Sequence, residues 1–192
     1  MNKPRRLVTT ASDEKGRDTV YSILADTSLP WVAPVGRLDK ASEGLLLLTN
    51  DSEWGARVMA PETHLDKTYH VQIDRVADEG FVQKVVQGVE ADGAEFLRAN
   101  NCRWLRSGEK NCWLEITLDE GKNRQIRRML EIQGAAVLRL VRVAIGPLKL
   151  GPLGKGAWRP LTAAEKRALD RAMLPGARTS HHQGRKGTRR KN

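Results

Sequence analysis

The sequence predicts an α+β domain, on three grounds. Two stretches alternate as half-buried strands do. KTYHVQID puts Tyr69, Val71 and Ile73 on one face; NCWLEITLDEG puts Leu114, Ile116 and Leu118 on one face and Trp113, Glu115 and Thr117 on the other. Three segments carry the helical period instead: DEGFVQKVVQGV, GKNRQIRRMLEIQG and TAAEKRALDRAML. The strands follow one another in hairpin-like order, without a strand–helix–strand rhythm, so helices laid on a sheet are expected.

Taken in order, RRLVTT (5–10) reads as a short strand, DEKGRD as a turn and TVYSILAD as a short helix. LPWVAPVGRLD holds two prolines and reads as an extended connector. GLLLLTND reads as one buried strand closed by turn residues. In SEWGARVMAP, Ser52 can cap a helix that Pro61 closes. In the next helix Val82, Val85 and Val86 are expected inward. In GKNRQIRRMLEIQG the apolar face is Ile126, Met129, Leu130 and Ile132, with Gly134 as C-cap. AVLRLVRVAIG reads as a strand whose Arg139 and Arg142, three apart, point to opposite faces, so at most one meets a ligand. Thr162 and Glu165 form a capping box for a last helix.

The chain has 192 residues and a net charge of +10, which favours a polyanionic partner, most simply nucleic acid. Residues 175–192 contain Arg178, Arg185, Lys186, Arg189, Arg190 and Lys191 and no acid. This tail supplies six of the ten net charges and leaves +4 for residues 1–174. It has almost nothing to bury and reads as a disordered solubilising or phosphate-binding arm behind a single domain, 1–174. Cys102 and Cys112 match no metal-ligand spacing, and both lie in strand-like stretches, as buried thiols in a reducing compartment do. No apolar run is long enough to span a membrane, so a cytoplasmic protein is expected. Of the five tryptophans, most are expected in the core or at a cleft rim.

Two segments stand out chemically. In VGRLDKASEGLLLLTND, Arg37 and Asp39 lie between two glycines, directly ahead of the leucine run. The Asp can cap the turn or pair with Arg37 or Lys40; it can equally be a carboxylate held at a cleft edge as nucleophile or base, which needs a cation to stay ionised. In LDEGKNRQIRRM, Lys122, Arg124, Arg127 and Arg128 crowd a helix start, against the macrodipole. Such a cluster is either a solvated basic face or is compensated by RNA phosphates or a carboxylate.

GRLDKASEGLLLLTND, EGKNRQIRRM and LRLVRVAIGPLKLGPLGKGAWRPLT together resemble the pseudouridine synthases of small and large ribosomal subunits. NKPRRLVTT (2–10) and KTYHVQI (67–73) resemble that family's remaining motifs, so the resemblance runs from residue 2 to about 165. It implies a central, largely antiparallel sheet with flanking helices and a basic cleft. It implies Asp39 as the catalytic residue, Tyr69 as the ring that packs on the target uracil, and Arg127 as the partner of Asp39. Ile145 would give the pocket an apolar wall, and Arg37, Lys67, Lys122, Arg124, Arg128 and Arg142 would meet RNA. The implied reaction detaches a flipped-out uracil from N1, rotates it and rejoins it through C5. It needs no cofactor or metal.

The implied substrate is ribosomal RNA, pointing to 23S, free or in a pre-ribosomal particle, with a monomeric enzyme and no membrane. Many members carry an S4 RNA-binding domain ahead of the first motif. Here the chain opens at that motif, as in the branch without S4 that resembles the E-type synthases of the large ribosomal particle, or as after a late start codon. Arg6 stands where the family usually has Gly, which is costly if the backbone there is left-handed. A non-catalytic RNA-binding factor on the same scaffold is the second reading. A glycosidase-like hydrolase is the third, and would draw a second carboxylate from Glu43 or Asp51.

Overall fold

The computed structural model describes residues 1–10, 13–25 and 27–174; the basic tail lies outside the described residues. The strands are β1 (Asn2–Lys3), β2 (Ala33–Val35), β3 (Glu43–Leu45), β4 (Leu47–Thr49), β5 (Lys67–Ile73), β6 (Val89–Ala91), β7 (Glu95–Leu97), β8 (Asn101–Ser107), β9 (Cys112–Leu118), β10 (Val137–Ile145) and β11 (Leu148–Lys149). The α-helices are α1 (Ser52–Met59), α2 (Glu79–Gln87), α3 (Gln125–Ile132) and α4 (Ala163–Ala172). The main sheet runs β1-β3-β10-β5-β9-β8, with β11 on β10; β2-β4 and β6-β7 form two small ribbons. All its pairings are antiparallel except β3 with β10.

Register gives the sheet two unlike faces, because residues paired across strands share a side. One transverse row reads Lys3, Gly44, Arg142, Tyr69, Ile116 and Cys102. On this side Val71, Ile73, Leu114, Ile116 and Leu140 pack with Phe81, Val82 and Val85 of α2 and Ile126, Met129 and Leu130 of α3. The opposite side carries the rows Glu43, Val141, His70, Glu115, Arg103 and Arg139, Gln72, Trp113, Arg106.

Both alternating strands fold as their patterns predict. The leucine run does not form one strand. It breaks at the fully buried Leu46, whose N–H donates to the Met1 carbonyl at 2.9 Å, and its halves enter different sheets. Four consecutive leucines give no periodicity from which such a break could be read. Within 5–10 only Val8 pairs, in an isolated bridge to Thr19; the strand is Asn2–Lys3 instead. The connector contains β2, α1 is capped by Asp51 rather than Ser52, and TVYSILAD yields one 3-10 turn over Val20–Ile23. Val86 and Ile132 are exposed at 37% and 48%, where Phe81 takes the inward place expected of Val86. Cys102 and Cys112 are buried free thiols, and the capping box of α4 is formed.

Gly44 fixes how closely the parallel pair can approach. Its φ is +104°, and a Cβ there would sit 2.3 Å from the Arg142 carbonyl oxygen. Gly44→Ala is expected to destabilise by at least about 3 kcal/mol, read as a lower urea midpoint.

Candidate active site

The Asp39 loop is held by its backbone. The five carbonyls from Leu38 to Ser42 all accept hydrogen bonds from distant parts of the chain. Thr9 Oγ1 donates to Leu38 O at 2.8 Å, and Leu38 N–H returns a bond to that oxygen at 3.3 Å. Lys3 Nζ donates to Asp39 O at 3.1 Å and to Ser42 O at 2.8 Å. Arg6 N–H donates to Lys40 O at 2.8 Å, and Arg127 Nη2 to Ala41 O at 3.3 Å. A loop pinned this way fixes its Cα positions while the side chain at its tip stays free to react. The Asp39 side chain is 39% exposed, while Leu38 beneath it is buried.

Three of these four anchors come from residues 3–9, and sequence reasoning missed all three as site residues. Lys3 is the least legible, because an N-terminal Lys in an apolar environment gives no sequence signal. It is fully buried, and burial pulls its ammonium down to about 8, with Arg142 adding to the effect and Asp39 and Glu43 opposing it. Arg6 did leave a signal. Its φ is +78°, so the backbone at this position is left-handed, the conformation that favours glycine. Arg6→Gly is expected to raise stability by about 1 kcal/mol, measurable as a higher melting temperature.

The cations lie as follows. Arg124 Nη1 approaches Asp39 Oδ2 at 3.8 Å, so the ion pair expected of Arg127 is made by Arg124. Arg124 is the N-cap residue of α3, in a left-handed conformation (φ +47°), and its guanidinium, which cannot accept the helix N–H groups, turns to the carboxylate. Arg127 lies deeper. Its Nη1 and Nη2 make 3.3 Å bonds to the Val137 and Ala41 carbonyls, and its Nε is buried without a partner. Burial and the Arg124 charge pull its pKa down, with Asp39 pushing the other way. Arg37 is exposed beside Asp39. Lys122 donates to Phe96 O at 2.7 Å and pairs with Glu120; Arg128 pairs with Glu95 at 2.7 Å. Both thus tie α3 to the β6-β7 ribbon. Lys67 is half-buried at the start of β5, and burial lowers its ammonium below the ordinary range.

Tyr69 is half-buried where two clusters meet: the large one under α2 and α3, and a smaller one containing Leu38. It therefore borders the floor of the Asp39 loop. Two expected site residues are placed elsewhere. Arg142 is 5% exposed, with Nε donating to Leu45 O at 2.7 Å and Nη2 buried without a partner, so it braces β3 and does not face RNA. Ile145 is 2% exposed and packs in the cluster of Val35, Leu45 and Leu148, to which Tyr69 does not belong, so it lies in the core rather than at an open surface. In both cases tertiary packing claims a residue that a strand pattern alone leaves on either face.

The carboxylates that a hydrolase would borrow are occupied. Glu43 is buried on the opposite face of the sheet, bonded to Lys155 at 2.6 Å and Arg139 at 3.2 Å. Asp51 accepts the Trp54 N–H at 2.9 Å as the cap of α1. That leaves Asp39, half-exposed on its loop, paired with Arg124 and in the field of Arg127.

Comparison with known proteins gives this arrangement its family. Residues 1–132 match the model of the RNA pseudouridylate synthases. The chain belongs to this family. An uncharacterized RNA pseudouridine synthase of Aquifex aeolicus is 38% identical over 174 residues, which are 90% of this chain and 69% of that protein. The ribosomal large subunit pseudouridine synthase B of Bacillus subtilis is 34% identical, over 87% of this chain and 68% of its own. The ribosomal large subunit pseudouridine synthase E of Vibrio parahaemolyticus is 35% identical, over 83% and 71%. A crystal structure of a pseudouridylate synthase superposes with a TM-score of 0.75 at 29% identity, covering 88% of this chain and 71% of that one. The chain is an RNA pseudouridine synthase with the α+β fold of that family, its central sheet largely antiparallel. Among the described residues no helix is long and apolar enough to cross a membrane.

Proposed function

We propose that this synthase isomerises a specific uridine of ribosomal RNA, in the 23S molecule, and that Asp39 carries the reaction. The observation that carries this reading is the single half-exposed carboxylate on a loop whose five consecutive carbonyls are anchored, within the segment matched to the family. The 23S target is supported by the names of the Bacillus and Vibrio relatives.

The target base leaves its stack and enters over Tyr69, whose ring takes one face of the uracil while its hydroxyl finds a polar partner. Asp39 acts as an anion, at the ribose C1′, at the ring C6 or on the sugar 2′ proton. The N1–C1′ bond breaks, the uracil turns, and C5 bonds to C1′. The C5 proton then leaves to Tyr69 or to a water beside it. Arg124 faces the Asp39 carboxylate across a 3.8 Å ion pair, and Arg127 adds a second positive charge nearby. Arg37 meets the RNA beside the loop, while Lys67, Lys122 and Arg128 add to the positive field at its margins. No electron acceptor or group carrier enters this balance. The enzyme acts as a monomer in the cytoplasm, on free RNA or on a pre-ribosomal particle.

The test is tritium release from ribosomal RNA labelled at uracil C5, with the wild type beside Asp39→Ala. Release by the wild type alone is expected. No release from ribosomal RNA, transfer RNA or a pre-ribosomal particle would return the chain to the RNA-binding reading.

A further inference from the structure

The sheet face opposite Asp39 is left uncovered by any helix among the described residues. None of its residues Thr68, His70, Gln72, Trp113, Glu115 and Thr117 belongs to an apolar cluster, and each is half-exposed. We propose that this face is a second RNA-contact surface, holding a single-stranded stretch of the substrate away from the reacting uridine. The proposal rests on the family reading only in taking RNA as the polyanion that this protein meets.

Charge complementarity and aromatic geometry carry it. Arg103, Arg106, Arg139 and Lys155 stand on this face against two carboxylates, Glu43 and Glu115. The cations are the outer layer: the side chains of Arg103, Arg139 and Lys155 are 61%, 41% and 56% exposed, while those of Glu115 and Glu43 are 18% and 2% exposed. Such layering presents positive charge outward and uses the less exposed carboxylates to aim it.

Trp113 lies in the middle. Arg106 stacks over its ring at 4.9 Å and Arg139 at 5.5 Å. Arg139 turns Nε and Nη2 to Glu43, whereas the guanidinium of Arg106, stacked on the indole, can offer its N–H edge to phosphate and its plane to a base. Thr68, Thr117, Gln72 and Asn101 supply hydrogen-bonding groups along the same face. A flat sheet with aromatic and guanidinium planes and an outer basic layer suits splayed single strands, whose bases are free to stack, better than a duplex. A protein partner would meet a surplus of like charge here and little aliphatic surface to bury.

The experiment measures binding of the full chain to a 20-nucleotide oligouridylate and to a duplex of equal length across a salt series, with tritium release from ribosomal RNA followed in parallel. The double variant Arg103→Ser/Arg106→Ser is expected to bind the single strand roughly tenfold more weakly, with a salt slope lower by about 1.4 for two lost phosphate contacts. Arg106→Lys keeps the charge and loses the stacked plane, so it should recover the slope and only part of the affinity. Circular dichroism melts confirm that both variants are folded. Because the wild type and the variants share the same tail and the same Asp39 site, the difference reports this face alone. Unchanged affinity and slope in the folded double variant would overturn the proposal, as would equal losses on single strand and duplex. Tritium release by the wild type keeps that failure separate from a failure of the family reading.

Discussion

Replacing Asp39 with Asn is expected to lower turnover by roughly a thousandfold or more while leaving RNA binding nearly unchanged. Asn has the same shape and accepts the same neighbours, so the loop keeps its five anchored carbonyls. What is lost is the negative charge. Without it the base cannot be detached by any of the three routes open to Asp39. The ion pair with Arg124 at 3.8 Å is lost too, but Arg124 is half-exposed and water can solvate it. Single-turnover kinetics with labelled RNA, together with a filter-binding Kd, separate the two effects. A variant that turns over at a wild-type rate would remove Asp39 from the chemistry. One that neither binds nor folds would make its role structural.

Lys3→Met is expected to have the second largest effect, and on both stability and turnover. Methionine fills much the same space, so packing is largely kept. The carbonyls of Pro4, Asp39 and Ser42 lose their donor at Nζ, at a cost of roughly 3 kcal/mol in total. The loop that carries Asp39 then loses its fixed position, and turnover falls beyond what the fraction unfolded accounts for. Comparing turnover at a temperature where the variant remains folded distinguishes the two contributions. The wild type carries a related dependence on pH. The buried Lys3 releases its proton at about 8, before the unfolded chain does at 10.5. The unfolded state therefore binds more protons in that window, and the contribution of this group to stability rises with pH between those values. The neutral amine has two N–H donors for three carbonyls, so turnover is expected to drop as pH rises through about 8. Lys3→Met should not show that drop.

How much of this was legible in the sequence depends on whether a signal was local. The alternation in β5 and β9 and the capping box of α4 are properties of a few adjacent residues, and all three formed as expected. Asp39 was legible only through its resemblance to the family motif, because a charged pair ahead of a core run by itself also fits a turn cap or a local ion pair. The cation cluster at the start of α3 was legible as an anomaly, but spacing could not say whether Arg124 or Arg127 turns toward Asp39. The tertiary structure gives that place to Arg124, while Arg127 is held by the Val137 and Ala41 carbonyls. Arg142 and Ile145 were misplaced because β10 is bordered by β3 on one side and β5 on the other, so its exposure is set by partners far away in the chain. Lys3 and Thr9 hold the loop through contacts 29 to 39 residues apart, which no local pattern encodes.

The position of β10 also governs when the enzyme can exist. It is the last long strand to be synthesised, yet it sits between β3 and β5 and joins the row that runs from Lys3 through Arg142 to Tyr69. Until residue 145 has emerged from the ribosome, the strand bearing Glu43 and Gly44 has nothing beside it to align with the strand bearing Tyr69. A nascent chain that already displays every acidic and aromatic group of the site is therefore silent. The central strand therefore closes the sheet last, and a chain stopped short of residue 145 is expected to show no turnover however complete its earlier motifs are.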